Sequence, residues 1–173
     1  MSKTSEAIST AVNMEDEPLF AEDLSPLTTG EKAPLFQLDL VNGGIFELGS
    51  VLQSGPVILS FIKGFWCPYC VTYLRNLRQW QTKFKKTSTL LVISNQSTET
   101  MREWLRENPM LFLFASDEKF DVISQFGLHA ESLDFSKPAV YVVDMDGTIK
   151  LAYFQRRTSA LQDKLEESVG EKS

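Results

Sequence analysis

Apolar residues fall into alternating strand-like and helix-like patterns from about residue 35 onward. Leu35-Phe36-Gln37-Leu38-Asp39-Leu40 nearly alternates, meets the turn signal Asn42-Gly43-Gly44, and is followed by Ile45-Phe46-Glu47-Leu48. This pattern predicts a β-hairpin. Pro56-Val57-Ile58-Leu59-Ser60-Phe61-Ile62 is a continuous β-branched and aromatic run, as expected of a strand covered on both faces. From Pro68 the period changes. Tyr73, Leu77, Trp80 and Phe84 recur with helical spacing and Leu74 widens the stripe, so an amphipathic helix is predicted. Pro68 suits the first helical position, where a missing N–H costs nothing. Lys83, Lys85 and Lys86 are expected to close the helix, at the end of the dipole that favours positive charge.

The alternation continues to the end of the chain. Strands are predicted at 89–94, 111–115, 139–143 and 149–154, and helices at 99–107, 118–126 and 159–169. Pro109 and Gly127 supply stops, and Asp144-Met145-Asp146-Gly147 supplies a hairpin turn. Interleaved strands and helices ending in a hairpin and a helix predict an α/β sandwich with a mixed sheet.

Charge changes this picture at one end. Lys and Arg total 17 and Asp and Glu 23, a net of −6. Residues 1–23 hold six acids and one base, a net of −5, which leaves −1 for the rest. We read 1–29 as an acidic arm and 30–173 as the domain. The arm has no continuous apolar core and is too acidic for a transit peptide, so a cytoplasmic protein is expected. The acidic balance argues against nucleic acid as a partner. The longest apolar runs, such as 110–115, are six residues, far below the roughly 18 a membrane helix needs.

The candidate chemistry sits in one place. The two cysteines, Cys67 and Cys70, both lie in Gly64-Phe65-Trp66-Cys67-Pro68-Tyr69-Cys70. A pair three apart closes a loop too short to stabilise a fold much, which leaves redox chemistry, half of a metal site, or coincidence. A buried strand before the pair and a helix after it favour redox chemistry. A sulfur at a helix start faces unpaired N–H groups and the positive dipole end, which favour its thiolate. Cys67 is therefore the expected nucleophile and Cys70, one turn on, the resolving thiol. Trp66 and Tyr69 would wall the pair or pack against the sheet. His129 is the only histidine, so a four-ligand zinc site would need carboxylates or a second subunit; we assign no metal. A surface or packing role is expected for His129, and capping or turn roles for Asp117, Glu118 and Asp144. Solvation is the default for Lys63, with an electrostatic pull on the Cys67 thiolate as the alternative.

Cys67-Pro68-Tyr69-Cys70 is the tetrapeptide of glutaredoxin active sites, and Trp66 before it resembles thioredoxins. The wider chain, roughly 30–155, resembles the peroxiredoxin-like branch of the alkyl hydroperoxide reductase and thiol-specific antioxidant family. The resemblance is carried by Gly30-Glu31-Lys32-Ala33-Pro34-Leu35-Phe36, Ile93-Ser94-Asn95-Gln96 and Val143-Asp144-Met145-Asp146-Gly147. It implies a thioredoxin-like three-layer sandwich with an N-terminal β-hairpin extension. It also implies no tightly bound cofactor, and a thiol donor such as a thioredoxin system or glutathione. Substrate contacts would come from Trp66, Pro68, Tyr69 and Pro138, the last matching a proline that thioredoxin-fold reductases hold in the cis form.

There are departures. The peroxiredoxin pattern Pro-x-x-x-Thr-x-x-Cys, ended at Cys70, puts Lys63 and Cys67 at its Pro and Thr positions. Ended at Cys67, it puts Ser60 and Gly64 there. The family's catalytic arginine would fall at Pro138. On these grounds the sequence favours a thiol–disulfide oxidoreductase cycling Cys67 and Cys70. The alternative is a thiol-dependent peroxidase acting through the same pair, with Cys70 in the family register as its peroxidatic residue. A non-catalytic interaction module working through the arm, and a redox sensor, are the further readings.

Overall fold

A computed structural model describes residues 24–169 apart from Lys85 and Arg156. The acidic stretch 1–23 and Lys85, expected above to help close a helix, lie outside the described residues. The hairpin pattern forms β1 (Gln37–Leu40) and β2 (Ile45–Glu47), antiparallel, with Leu38 opposite Phe46. A single-turn helix that the pattern did not announce, α1 (Leu48–Val51), follows. The apolar run is β3 (Val57–Phe61), and the cysteine motif opens α2 (Pro68–Trp80). Then come β4 (Thr89–Ser94), α3 (Thr98–Glu107), β5 (Leu113–Ser116), α4 (Asp121–Gln125), β6 (Ala139–Val143), β7 (Ile149–Tyr153) and α5 (Ser159–Val169).

The seven strands line up in the order β2-β1-β5-β4-β3-β6-β7. β4 runs parallel to β3 and β5, while β6 runs antiparallel to β3 and β7. The sheet is therefore mixed, and β3 lies inside it. All five β3 residues are buried, as two-sided coverage requires. Ile58, Val92, Val140 and Val142 face the core shared with Tyr73, Leu74 and Leu77 of α2 and Leu161 and Leu165 of α5. Leu59, Phe61, Leu91, Ile93 and Tyr141 face the opposite core, closed by Leu48, Val122, Ile123 and Phe126. The chain is the expected three-layer α/β sandwich with its hairpin extension.

Three boundaries differ from expectation. The α-helix α2 stops at Trp80 and passes into a 3-10 turn, Gln81–Lys83, so Arg78 is the base in its last turn. Phe84 still reaches the same core, but by extended backbone. Next, α4 is only 121–125, because Phe120 adopts a left-handed φ of 63° and the Asp117 carboxylate accepts from the Ile123 N–H at 2.7 Å. That capping bond makes 118–120 a turn. Finally, β5 begins at Leu113, since Leu111 is exposed. The described end of the acidic segment is held to the domain. The Leu27 N–H donates to the Phe126 carbonyl at 3.0 Å, and the Leu27 carbonyl accepts from the Tyr141 hydroxyl at 2.9 Å.

Candidate active site

The site forms where β3 runs out. The Ile62 N–H still donates to the Ile93 carbonyl at 3.0 Å, and the chain then leaves the sheet through 63–66 before α2 begins. This loop is pinned from β4's far end, where Gln96 Oε1 accepts from the Phe65 N–H at 2.7 Å. Phe65 stacks on Trp104 of α3 with ring centroids 4.5 Å apart. Gly64 is crowded there: a Cβ would overlap the Trp66 indole nitrogen and come 2.9 Å from Gln96 Oε1. The Gly64 carbonyl accepts from the Cys67 N–H at 3.3 Å.

Cys67 is the N-cap residue of α2, with extended backbone, and Pro68 is at the first helical position as predicted. Its carbonyl accepts from the Val71 N–H at 3.0 Å, so its sulfur lies at the helix's open amide end. Both thiols are free; Cys67 is 3% exposed and Cys70 is fully buried. The two sulfurs are in hydrogen-bonding contact, which one helical turn permits. This bond from Cys70 is the largest influence on Cys67. The Cys70 N–H, the Lys63 charge and the Tyr69 N–H add to it and, against burial, draw the Cys67 thiol down to about 6. The same bond, reinforced by burial, pushes the Cys70 thiol well up, with the Arg157 charge opposing. The arrangement holds one proton between two sulfurs and leaves the charge on Cys67. In the family register Cys70 was the expected peroxidatic residue; here the charge and the access belong to Cys67.

Beneath the pair lies a buried polar cluster. Tyr73 and Ser60 share a hydrogen bond of 2.6 Å between their hydroxyls. The Arg157 guanidinium lies over the Tyr73 ring, 4.8 Å from its centroid. Burial holds the Tyr73 phenol at about 12, so it stays neutral. Above the pair, Trp66, Pro68 and Tyr69 are exposed around the covered sulfur. Trp66 meets Phe135 edge-on at 5.4 Å, and Lys63 Nζ stands 5.8 Å from the Phe135 ring. Lys137 is close enough to Lys63 that burial first, and the Lys63 charge second, lower its ammonium pKa.

Pro138 reaches the same end of the sheet, because Ala139 after it pairs with Phe61. The cis bond expected before it is absent: the Lys137–Pro138 peptide is trans. The Lys137 N–H donates to the Leu128 carbonyl at 2.9 Å, and the Lys137 carbonyl accepts from the Ser136 hydroxyl at 2.8 Å. These bonds lead the loop into β6 without a reversal, so the ordinary X–Pro geometry serves. His129 stacks on Phe120 at 3.8 Å, and its Nε2 is 3.0 Å from the Leu133 carbonyl. It packs; it does not join the cysteines. The Lys63 charge helps lower the Cys67 thiol, the alternative reading of this residue.

Sequence reasoning missed Arg157, Phe135 and Gln96. A signal for the polar cluster was present but unread: Ser60 is the one polar residue in the apolar β3 run, and in a two-sided strand such a hydroxyl needs a partner.

A low-pKa thiol at a helix tip with a second thiol one turn on, mounted on this sandwich, is the constellation of a thiol oxidoreductase. Residues 29–152 match the AhpC/TSA family, and the chain belongs to it. Peroxiredoxin Bcp of Escherichia coli K12 is 26% identical over 147 residues, covering 81% of this chain and 94% of that protein. Peroxiredoxin 2 of Sulfurisphaera tokodaii is 29% identical over 142 residues, covering 78% and 66%. Among solved structures, peroxidoxin BcpB of Mycobacterium tuberculosis superposes with a TM-score of 0.74 at 21% identity, covering 85% of this chain and 99% of that one. Reduced 2-Cys peroxiredoxin of Plasmodium vivax gives 0.72 at 16%, covering 82% and 96%. The fold is thus shared with peroxiredoxins. Among the described residues, no helix is long and apolar enough to cross a membrane.

Proposed function

We propose that the chain is a thiol-dependent peroxidase that reduces hydroperoxides through Cys67 and Cys70. The observation that carries this reading is membership of the AhpC/TSA family over the residues that build the site. It moves the weight from general disulfide exchange, the sequence's first choice, to peroxide reduction. The burial of Cys67 supports it: a small hydroperoxide reaches a residue that is 3% exposed more readily than a folded protein's disulfide does. In this scheme the Cys67 thiolate attacks the distal peroxide oxygen. The O–O bond breaks, the leaving alkoxide or hydroxide takes a proton from solvent and departs as alcohol or water, and Cys67 becomes a sulfenic acid. Cys70 then attacks the Cys67 sulfur, water leaves with the Cys70 proton, and a Cys67–Cys70 disulfide forms. Two electrons from a cellular thiol, such as a thioredoxin system or glutathione, restore the dithiol.

No arginine stands at the position of Pro138. Lys63 and the amide end of α2 provide the positive field over Cys67 instead. Trp66, Pro68, Tyr69 and Pro138 form the surroundings against which an organic hydroperoxide would rest. We assign this chemistry to 30–173 and treat 1–29 as an acidic arm, in a cytoplasmic protein supplied by cytoplasmic thiols. The test is a direct comparison, with the same thiol donor, of hydrogen peroxide, cumene hydroperoxide and insulin disulfide as oxidants. The peroxides are expected to be consumed with the higher kcat/KM. Rapid insulin reduction with negligible peroxide consumption would return the protein to the disulfide-exchange class.

A further inference from the structure

After Cys67 has reacted, the thiol that must act next is the least favourably placed one. Cys70 is fully buried, and burial disfavours its thiolate. Its bond to the Cys67 thiolate, which held its proton, is gone once Cys67 is sulfenic or disulfide-bonded. The groups facing Cys70 then decide how readily it ionises. From its own helix these are Cys67, now neutral, and Tyr73, a neutral phenol one turn further in. From β3 comes Ser60, uncharged and bonded to Tyr73. From the chain between β7 and α5 comes Arg157, 7% exposed, with its guanidinium over the Tyr73 ring. Lys63 bears on Cys67, on the outer side of the pair. Among these described groups Arg157 is the permanent positive charge on the inner side, because a guanidinium stays protonated.

We propose that Arg157 is the positioning residue of the resolving step: held over the ring of Tyr73, one turn along α2 from Cys70, it supplies the charge that lets Cys70 attack the oxidised Cys67. This deepens the peroxidase reading without needing the oxidant to be a peroxide. With a disulfide R–S–S–R, Cys67 forms a mixed disulfide and releases the first thiol. Cys70 then bonds to the Cys67 sulfur, the Cys67–S–R bond breaks, and the second thiol leaves with the Cys70 proton.

The step can be watched with 5,5′-dithiobis(2-nitrobenzoate) and the reduced full chain in a stopped-flow spectrophotometer. Wild type is expected to release two thionitrobenzoate equivalents in two phases, and Cys70→Ser only the first. Arg157→Met is expected to slow the second phase about tenfold, while the first changes by less than about twofold. The pH midpoint of the second phase should rise in Arg157→Met and return in Arg157→Lys, a readout that loosened packing alone does not give. Should Arg157→Met not fold, Arg157→Gln against Arg157→Lys makes the same comparison. Equal slowing of both phases, an unmoved midpoint, or a wild-type chain that releases one equivalent overturns the inference. Two normal phases in a wild type that consumes no peroxide instead remove the peroxidase reading and leave the role of Arg157 standing.

Discussion

Cys67→Ser is expected to abolish peroxide turnover, by about three orders of magnitude or more, whereas Cys70→Ser completes the first half-reaction and stops. The asymmetry follows from where the proton sits. The bond from Cys70 and the helix amides leave Cys67 charged at neutral pH, while the same bond and burial keep Cys70 protonated. A serine at 67 removes the only sulfur with both charge and access. A serine at 70 still offers a hydroxyl to the Cys67 thiolate, so the first step survives. Cys67 sulfenic acid should then accumulate, trapped as a dimedone adduct at Cys67 by intact-mass and peptide mapping. Cys70→Ala, which offers no such donor, should also raise the Cys67 pKa. If Cys67→Ser retained turnover and Cys70→Ser lost it, the roles would be reversed and the family register would have been the better guide.

The second large effect is on stability and lies on the far side of the sheet. Phe126 is fully buried, with ring centroids 5.0 Å from Phe61, 5.1 Å from Tyr141 and 6.1 Å from Phe36. It therefore ties the hairpin approach to the strands that carry the site. Phe126→Ala is expected to cost about 3–5 kcal/mol by opening a cavity among rings that cannot collapse onto it. The melting temperature should fall by roughly 6–20 °C. Denaturant unfolding of the reduced chain measures the loss directly. Well below the transition the Cys67 chemistry should be unchanged, because Phe126 and the cysteines belong to opposite cores. A loss under about 1 kcal/mol would mean that this core does not hold the fold together.

The sequence made most of the scaffold legible because β3 and β6 are unbroken apolar runs and α2 carries a helical stripe, each buried as its pattern implies. The helix-tip placement of Cys67 was equally readable, since Pro68 marks the first turn. What escaped depended on contacts between distant segments. Arg157 reaches Tyr73 because the chain doubles back through β7, and nothing in the sequence announces that its side chain turns inward. Phe135 meets Trp66 only because the loop before β6 is tied back to Leu128. The same ties let Pro138 enter its strand in trans, where family likeness had implied cis. At α4 a side chain outcompeted the helix: the Asp117 carboxylate reaches forward to the Ile123 amide, so the predicted first turn does not form.

The most direct measurement is an ultraviolet titration of thiolate absorbance in the reduced protein, with Cys67→Ser and Cys70→Ser alongside. The wild-type signal should rise as pH increases through about 6, because a depressed acid is ionised above its folded pKa and protonated below it. Cys67→Ser should lose that transition entirely. A wild-type midpoint near the ordinary thiol value of about 8.5, or a low transition that survives in Cys67→Ser, would contradict the account.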